Sequence, residues 1–244
     1  MVKFTGKIEK IIDETIDVKT FVIQTPCAFE FTPGQFMSLS FEKDGVSYGP
    51  NAFTISSAPI NDNHKGDCSI TFTVKKVGKF TSALFELEEW DFVECMGPFG
   101  KNLNFDSSIK DDVAFVAIGV AITPFKSALE YAIKNNMSQK FTLIYGSKTR
   151  DDMIFRKRIL EIAEQHPNIS IYNFFSNEEC ELTGDDYAGR IPLDEITTLV
   201  DNPNKTQWFI CGSTQFNDQA ASALENKSIP AENIHVESRV KSNK

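Results

Sequence analysis

Residues 51–59 read Asn51-Ala52-Phe53-Thr54-Ile55-Ser56-Ser57-Ala58-Pro59, in which apolar residues alternate with small hydroxyl-bearing ones. That period of two belongs to a strand with one buried face. Phe53 and Ile55 point one way, Thr54 and Ser56 the other. Such a strand can lay an aromatic ring against a flat heterocyclic ligand and offer a hydroxyl beside it. The stretch also reads as an ordinary half-buried strand ending at a proline turn, and only its surroundings separate the two readings.

Around it, residues 3 to about 106 form a series of short strand candidates, at 3–12, 18–24, 35–41, 52–56, 69–74 and 92–95. Pro33-Gly34, Asp44-Gly45, Gly49-Pro50 and Lys65-Gly66 supply the turns. Six strands at this spacing predict an antiparallel barrel or sandwich. One helical signal, residues 81–87, follows Gly78. From about residue 111 the rhythm changes. Buried strands at 113–118, 141–145, 169–175, 207–211 and 234–237 alternate with helices at 124–135, 152–165 and 214–225 and a short helix after Ile191, which predicts a parallel α/β sheet. The polar turn Asp106-Ser107-Ser108 separates the two rhythms, giving domains 1–106 and 107–244.

A chain of 244 residues accommodates two such domains, and 41% hydrophobic with 24% charged residues fits a globular protein. No apolar run approaches the ~20 residues of a membrane span, and Met1 to Lys7 begin an alternating strand with no signal-peptide core. The expectation is a cytoplasmic protein without a membrane span. Its net charge of −9 speaks against nucleic acid as a partner. Five scattered cysteines without a C-x-x-C pair argue against a disulfide framework, a zinc site or an iron–sulfur cluster. The three histidines lie far apart, and no metal ligands are assigned. No arginine precedes Arg150, so any phosphate held by the first half relies on lysine, backbone N–H groups or a helix N-terminus.

Three stretches suit nucleotide chemistry. Val77-Gly78-Lys79-Phe80-Thr81-Ser82 brings a glycine turn into a helix start beside Lys75 and Lys76, suiting a diphosphate or simply capping a surface helix. Gly119-Val120-Ala121-Ile122-Thr123-Pro124 joins the first parallel strand to its helix, where such sheets bind nucleotides; an ordinary strand–helix turn looks the same. Tyr145-Gly146-Ser147-Lys148-Thr149-Arg150 follows the second parallel strand, where a dinucleotide's ribose would run, and reads equally as a solvated loop. Cys211-Gly212 puts a thiol, and Glu237 a carboxylate, at the carboxyl ends of later strands.

The order of these pieces resembles the ferredoxin–NADP reductase family of flavoproteins over nearly the whole chain. Pro33-Gly34-Gln35-Phe36 is similar to its P-G-Q-F/Y, Asn51 to Thr54 to its R-x-Y-S/T, and Gly78 to Leu84 to its G-x-x-S/T-x-x-L. Gly97 to Gly100 resembles G-P-x-G, Gly119 to Pro124 G-x-G-x-x-P, and Tyr145-Gly146 and Cys211-Gly212 the later Y-G and C-G. The resemblance implies an N-terminal, six-stranded antiparallel Greek-key β-barrel that binds FAD, followed by a C-terminal α/β domain that binds NADPH or NADH. It implies a flavin set of Asn51, Ala52, Phe53, Thr54, Thr73, Val74, Lys75, Lys76, Gly78, Lys79, Phe80 and Thr81. It implies a nucleotide set of Gly119, Ile122, Thr123, Pro124, Gly146, Ser147, Lys148, Arg150, Cys211 and Gly212. Thr54 by the flavin's reactive edge, with Cys211 and Glu237 by the nicotinamide, are the implied catalytic residues. Asn51 stands where the motif has arginine, and Ala121 where the nucleotide loop has its second glycine. Where NADP-preferring relatives carry Ser-Arg, this chain has Ser176-Asn177, although Lys148 and Arg150 could still hold a 2′-phosphate. The implied function is transfer of electrons from NAD(P)H through FAD to a separate one-electron acceptor, such as ferredoxin or another iron–sulfur or haem protein. The alternatives are a free flavin or ferric-chelate reductase, and a flavin-binding electron-transfer subunit that needs a partner chain.

Overall fold

The computed structural model describes residues 1–26, 29–59, 68–177 and 186–237. The turn expected at Lys65-Gly66, with Cys27, His64 and Cys180, lies outside them. Six antiparallel strands, β1 (Val2–Thr15), β2 (Val18–Gln24), β3 (Phe36–Lys43), β4 (Val46–Thr54), β5 (Ser69–Lys75) and β6 (Phe92–Phe99), pair in the order β4-β3-β6-β1-β2-β5. The end strands meet through an Ile55–Phe72 bridge and the Ser56 N–H donating to the Thr71 carbonyl at 2.8 Å, so the sheet closes on itself. Alternation explains the interior: Ile70, Phe72 and Val74 on β5 and Met37 and Leu39 on β3 are buried. One short helix, α1 (Lys79–Leu84), lies between β5 and β6.

Asp44-Gly45 makes the expected turn, with positive φ at both residues between the paired Lys43 and Val46, as a two-residue hairpin requires. Gly49-Pro50 does not. Strand β4 runs through it, because the register slips between Leu39–Asn51 and Phe41–Tyr48 and both residues sit in the bulge of an edge strand.

The second sheet is wholly parallel, in the order β10-β9-β8-β7-β11-β12, built from β7 (Val113–Ile118), β8 (Phe141–Ser147), β9 (Ile169–Phe175), β10 (Asp186–Ala188), β11 (Gln207–Cys211) and β12 (Ile234–Val236). Strand β7 is an almost unbroken buried run, as a central strand covered on both faces must be. Phe115 packs between Phe141 and Phe209 on one face, while Ala114, Val116 and the fully buried Trp208 fill the other. Helices α2 (Thr123–Lys134), α3 (Arg156–Gln165) and α4 (Thr214–Asn226) follow β7, β8 and β11. Helix α3 starts four residues later than its sequence pattern predicts. Thr149 and Asp152 bond each other in a turn, and Phe155 adopts a left-handed φ of 59° that interrupts the helix. The sequence also missed β10, three residues long.

The chain divides into two compact units, Met1–Asp106 with Thr123–Asn135, and Ser107–Ile122 with Asn136–Lys244. The domain read from sequence as 107–244 therefore gives up α2 to the barrel unit. There the Ser127 hydroxyl donates to the Ser57 carbonyl at 2.6 Å, and Tyr131 meets Phe105 edge-on. Cys95 and Cys211 form no disulfide, whereas Cys68 is disulfide-bonded, a departure from the sequence expectation against disulfides. Burial pushes the Cys95 thiol up to about 12, so it serves as packing.

Candidate functional site

In the barrel unit, β4 and the turn before α1 carry the candidate flavin residues. Asn51 and Ala52 are exposed and Phe53 and Thr54 half-buried. Phe53 packs against the barrel core and stacks on Phe80 with centroids 5.6 Å apart. The Thr81 hydroxyl receives the Val77 and Gly78 N–H groups at 2.9 and 3.0 Å and donates to the Gly78 carbonyl. It therefore ties its own turn together. Lys75 is paired with Asp17 at 3.0 Å. Thr73 and Val74 are buried, and the Thr73 hydroxyl bonds Thr20 and Ser56; any contact with a ligand from these two would come from backbone atoms. Lys76, Gly78 and Lys79 are exposed, and a Cβ on Gly78 would meet nothing within 4 Å. Those cations, with the N–H groups that open α1, form a donor set suited to an anionic diphosphate.

In the second unit the candidates gather at the carboxyl ends of the strands. From β7 the chain moves to β8 on one side and later returns to β11 on the other, so the crevice between β7 and β11 is the topological switch point. Gly119 to Ile122 turn as a single 3-10 helix, after which Thr123 and Pro124 open α2, which belongs to the barrel unit. Tyr145, almost fully buried, donates its hydroxyl to the Gly119 carbonyl at 3.1 Å and holds this loop. Gly146 and Gly212 are sites of close approach: a Cβ on Gly212 would lie 2.5 Å from the Phe216 ring and 3.0 Å from Ile118. Next to Gly212, the Cys211 thiol donates to Glu237 at 3.2 Å, bringing together two groups that lie 26 residues apart. Ser147 ends β8, Lys148 is exposed beside it, and Arg150 is paired with Asp186.

Several atoms here lack a protein partner. Among the described residues, Ser147 Oγ, Asn173 Oδ1 and Asn217 Oδ1 are buried without one. Buried polar atoms are ordinarily satisfied, so a set of them along the binding edge of a parallel sheet fits a polar nucleotide. Asn217, Asp186 and the Tyr145 hydroxyl were missed as contributors. Asn217 donates its amide to the Glu237 carbonyl and so fixes the end of β12. Its signal was a polar side chain on the apolar face of α4.

A curled antiparallel barrel followed by a parallel sheet with a nucleotide crevice defines a two-domain flavoprotein reductase fold. A family description, oxidoreductase FAD-binding domain, matches residues 5–103, and another, oxidoreductase NAD-binding domain, matches residues 115–222. The glycine betaine monooxygenase reductase subunit of Pseudomonas aeruginosa is 26% identical over 233 residues, covering 93% of this chain and 62% of that protein. The flavohem-like FAD/NAD-binding domain of nitric oxide dioxygenase from Vibrio cholerae superposes with a TM-score of 0.83 at 19% identity, over 96% of this chain and 97% of that one. A ferredoxin NADP+ reductase from Neisseria gonorrhoeae gives 0.76 at 18% identity, over 96% and 98%. The two solved structures establish the fold. The chain spans about three fifths of the length of the first curated relatives it matches. The chain carries an oxidoreductase FAD-binding domain followed by an oxidoreductase NAD-binding domain, in a ferredoxin–NADP reductase-like fold.

Proposed function

We propose that the chain is an FAD-dependent NAD(P)H oxidoreductase that passes electrons to a separate one-electron acceptor protein, such as ferredoxin or another iron–sulfur or haem protein. The observation that carries this is the Cys211–Glu237 pair at the carboxyl edge of a nucleotide-binding sheet, in a chain that also holds a flavin-binding barrel. FAD, when bound, supplies a centre that takes up electrons in pairs and releases them singly. The protein's own work is positioning. Tyr145 holds the Gly119 loop where a diphosphate would bind. Asn217 and Cys211 hold Glu237, and this cluster would orient the nicotinamide. Phe53 and Thr54 would offer the flavin ring a surface and a hydroxyl. The Pseudomonas relative's name, a reductase subunit, supports delivery to another protein. We place the activity in the cytoplasm because its donor is a reduced pyridine nucleotide.

A second reading, in which flavin is a loosely held substrate, is favoured by one observation. Thr81 and Lys75 are engaged within the barrel, and no arginine stands at Asn51. The deciding experiment is the visible spectrum of the FAD-loaded protein before and after anaerobic NADH and NADPH. Bleaching by either nucleotide is the expected result. Flavin lost on desalting would favour the second reading. Retained flavin that neither nucleotide bleaches, with no turnover of an artificial acceptor, would sink the reductase proposal and point to a subunit that needs a partner chain.

A further inference from the structure

We propose that the adenosine end of the nucleotide site selects NADH over NADPH, with Asp186 as the specificity-determining residue; this rests on the reading of the parallel unit as the pyridine-nucleotide site. The crevice between β7 and β11 fixes the direction of a bound dinucleotide. Its nicotinamide half would lie toward Cys211 and Glu237, so its adenosine half runs the other way, over the ends of β8 and β9 toward β10. Neighbouring strands are only about 4.8 Å apart, a step that a nucleoside spans.

At that end the Asp186 carboxylate is held between two donors. Asp186 Oδ2 accepts from Arg150 Nε at 3.2 Å, and Asp186 Oδ1 accepts from Asn173 Nδ2 at 3.0 Å. Both members of the ion pair are largely buried, with side chains 24% and 17% exposed. The guanidinium also lies over the Phe175 ring, 5.9 Å from its centroid. Arg150 is thus held in place and its charge is balanced by Asp186. Asn173 Oδ1 is a buried acceptor without a partner, in a residue only 3% exposed. Ser147 Oγ, which can donate or accept, is the other buried atom here without one.

A ribose 2′-hydroxyl can donate to the partly exposed Asp186 carboxylate. A 2′-phosphate is an anion that brings acceptor oxygens and faces that carboxylate. Like charges in a partly buried site repel strongly. Lys148 and Arg190, the latter two residues beyond β10, are exposed cations nearby in sequence, and solvent and salt screen them. An arginine in this loop therefore does not mark a 2′-phosphate site here, because its charge is already matched.

The test is calorimetric titration of the full chain with 5′-ADP and with 2′,5′-ADP, for wild type, Asp186→Asn and Asp186→Ser. The inference expects wild type to favour 5′-ADP by about tenfold or more, and both variants to move the ratio toward 2′,5′-ADP by a similar factor. Two different replacements guard against misfolding of either, checked by thermal unfolding. Tighter binding of 2′,5′-ADP to wild type would overturn the inference while leaving the nucleotide site intact. An unchanged ratio in folded variants would overturn the role of Asp186. No binding of either probe would overturn the nucleotide reading and the inference with it.

Discussion

The two units treat their candidate ligand groups in opposite ways. In the barrel, side chains that the sequence marks for a cofactor bond to the barrel itself: Thr81 ties its own turn, Thr73 joins Thr20 and Ser56, Lys75 pairs with Asp17, and Phe53 stacks on Phe80. Among the described residues of the parallel-sheet unit, Ser147, Asn173 and Asn217 keep buried polar atoms without partners, against Asn104 in the barrel unit. Closing a six-stranded sheet leaves little interior for anything but side chains, so the barrel's motifs act first as structure. A parallel sheet directs every strand end and helix start to one edge, and unmet polar capacity collects there. Motif residues in the barrel should therefore govern stability, and those on the sheet edge should govern turnover.

The largest effect tests the barrel side. Gly34 has a φ of +94°, and a Cβ there would lie 1.9 Å from the Leu103 carbonyl oxygen. Gly34→Ala combines backbone strain with a clash against main chain, and a loss of about 3 kcal/mol or more is expected. Urea unfolding measures it, and a midpoint within error of wild type would show that the P-G-Q-F turn is not structural.

Next comes the sheet edge. Glu237→Gln removes the carboxylate that accepts the Cys211 thiol but keeps the shape of the side chain. We expect kcat with the reduced nucleotide to fall by about tenfold, roughly 1.4 kcal/mol of barrier, with flavin content and unfolding midpoint unchanged. A variant that lost stability while keeping its kcat would reverse the division between the units.

Thr81→Val sharpens the comparison from within a flavin motif. If the hydroxyl serves the turn, its loss costs about 1 kcal/mol of stability, as for other helix-start hydroxyls, and FAD affinity changes little. If it serves the diphosphate, FAD affinity falls and stability does not. Fluorescence titration beside thermal unfolding separates these results.

The same division explains what could be read from sequence. Periodicity exposed the barrel strands and the apolar run of β7, and the loops after β7, β8 and β11 followed from where strands give way to helices. Local pattern could not show that β4 continues through Gly49-Pro50, since the bulge depends on its pairing with β3. Nor could it show β10, whose Tyr187 and Ala188 are exposed and which exists through its pairing with β9. Residue type marks Arg150 as a polar group just past β8 and Thr81 as one in the first turn of α1. What each does is set by partners: Asp186, 36 residues away from Arg150, and a turn carbonyl facing Thr81. Asn217 left one faint signal, an amide among the apolar positions of α4, and its role is set by Glu237, 20 residues away.

The smallest effect concerns β12, the three-residue edge strand that leads into Glu237. His235 stacks on Phe209 with centroids 4.5 Å apart, and its Nε2 lies 2.9 Å from Gln207 Oε1. Burial lowers the His235 pKa below its ordinary 6.5. Between that lowered value and 6.5 the unfolded chain binds more protons than the folded one, so stability rises with pH in this window. The histidine's contribution is complete above about pH 6.5 and declines as the pH falls toward the folded pKa. His235→Gln should flatten the dependence of the urea midpoint on pH in that range and leave the midpoint at pH 8 nearly unchanged. Because Phe209 and His235 pair directly beneath Cys211 and Glu237, turnover by wild type should weaken over the same window and that of the variant should not. Parallel weakening in both proteins would place the pH sensitivity elsewhere and leave β12 a passive edge.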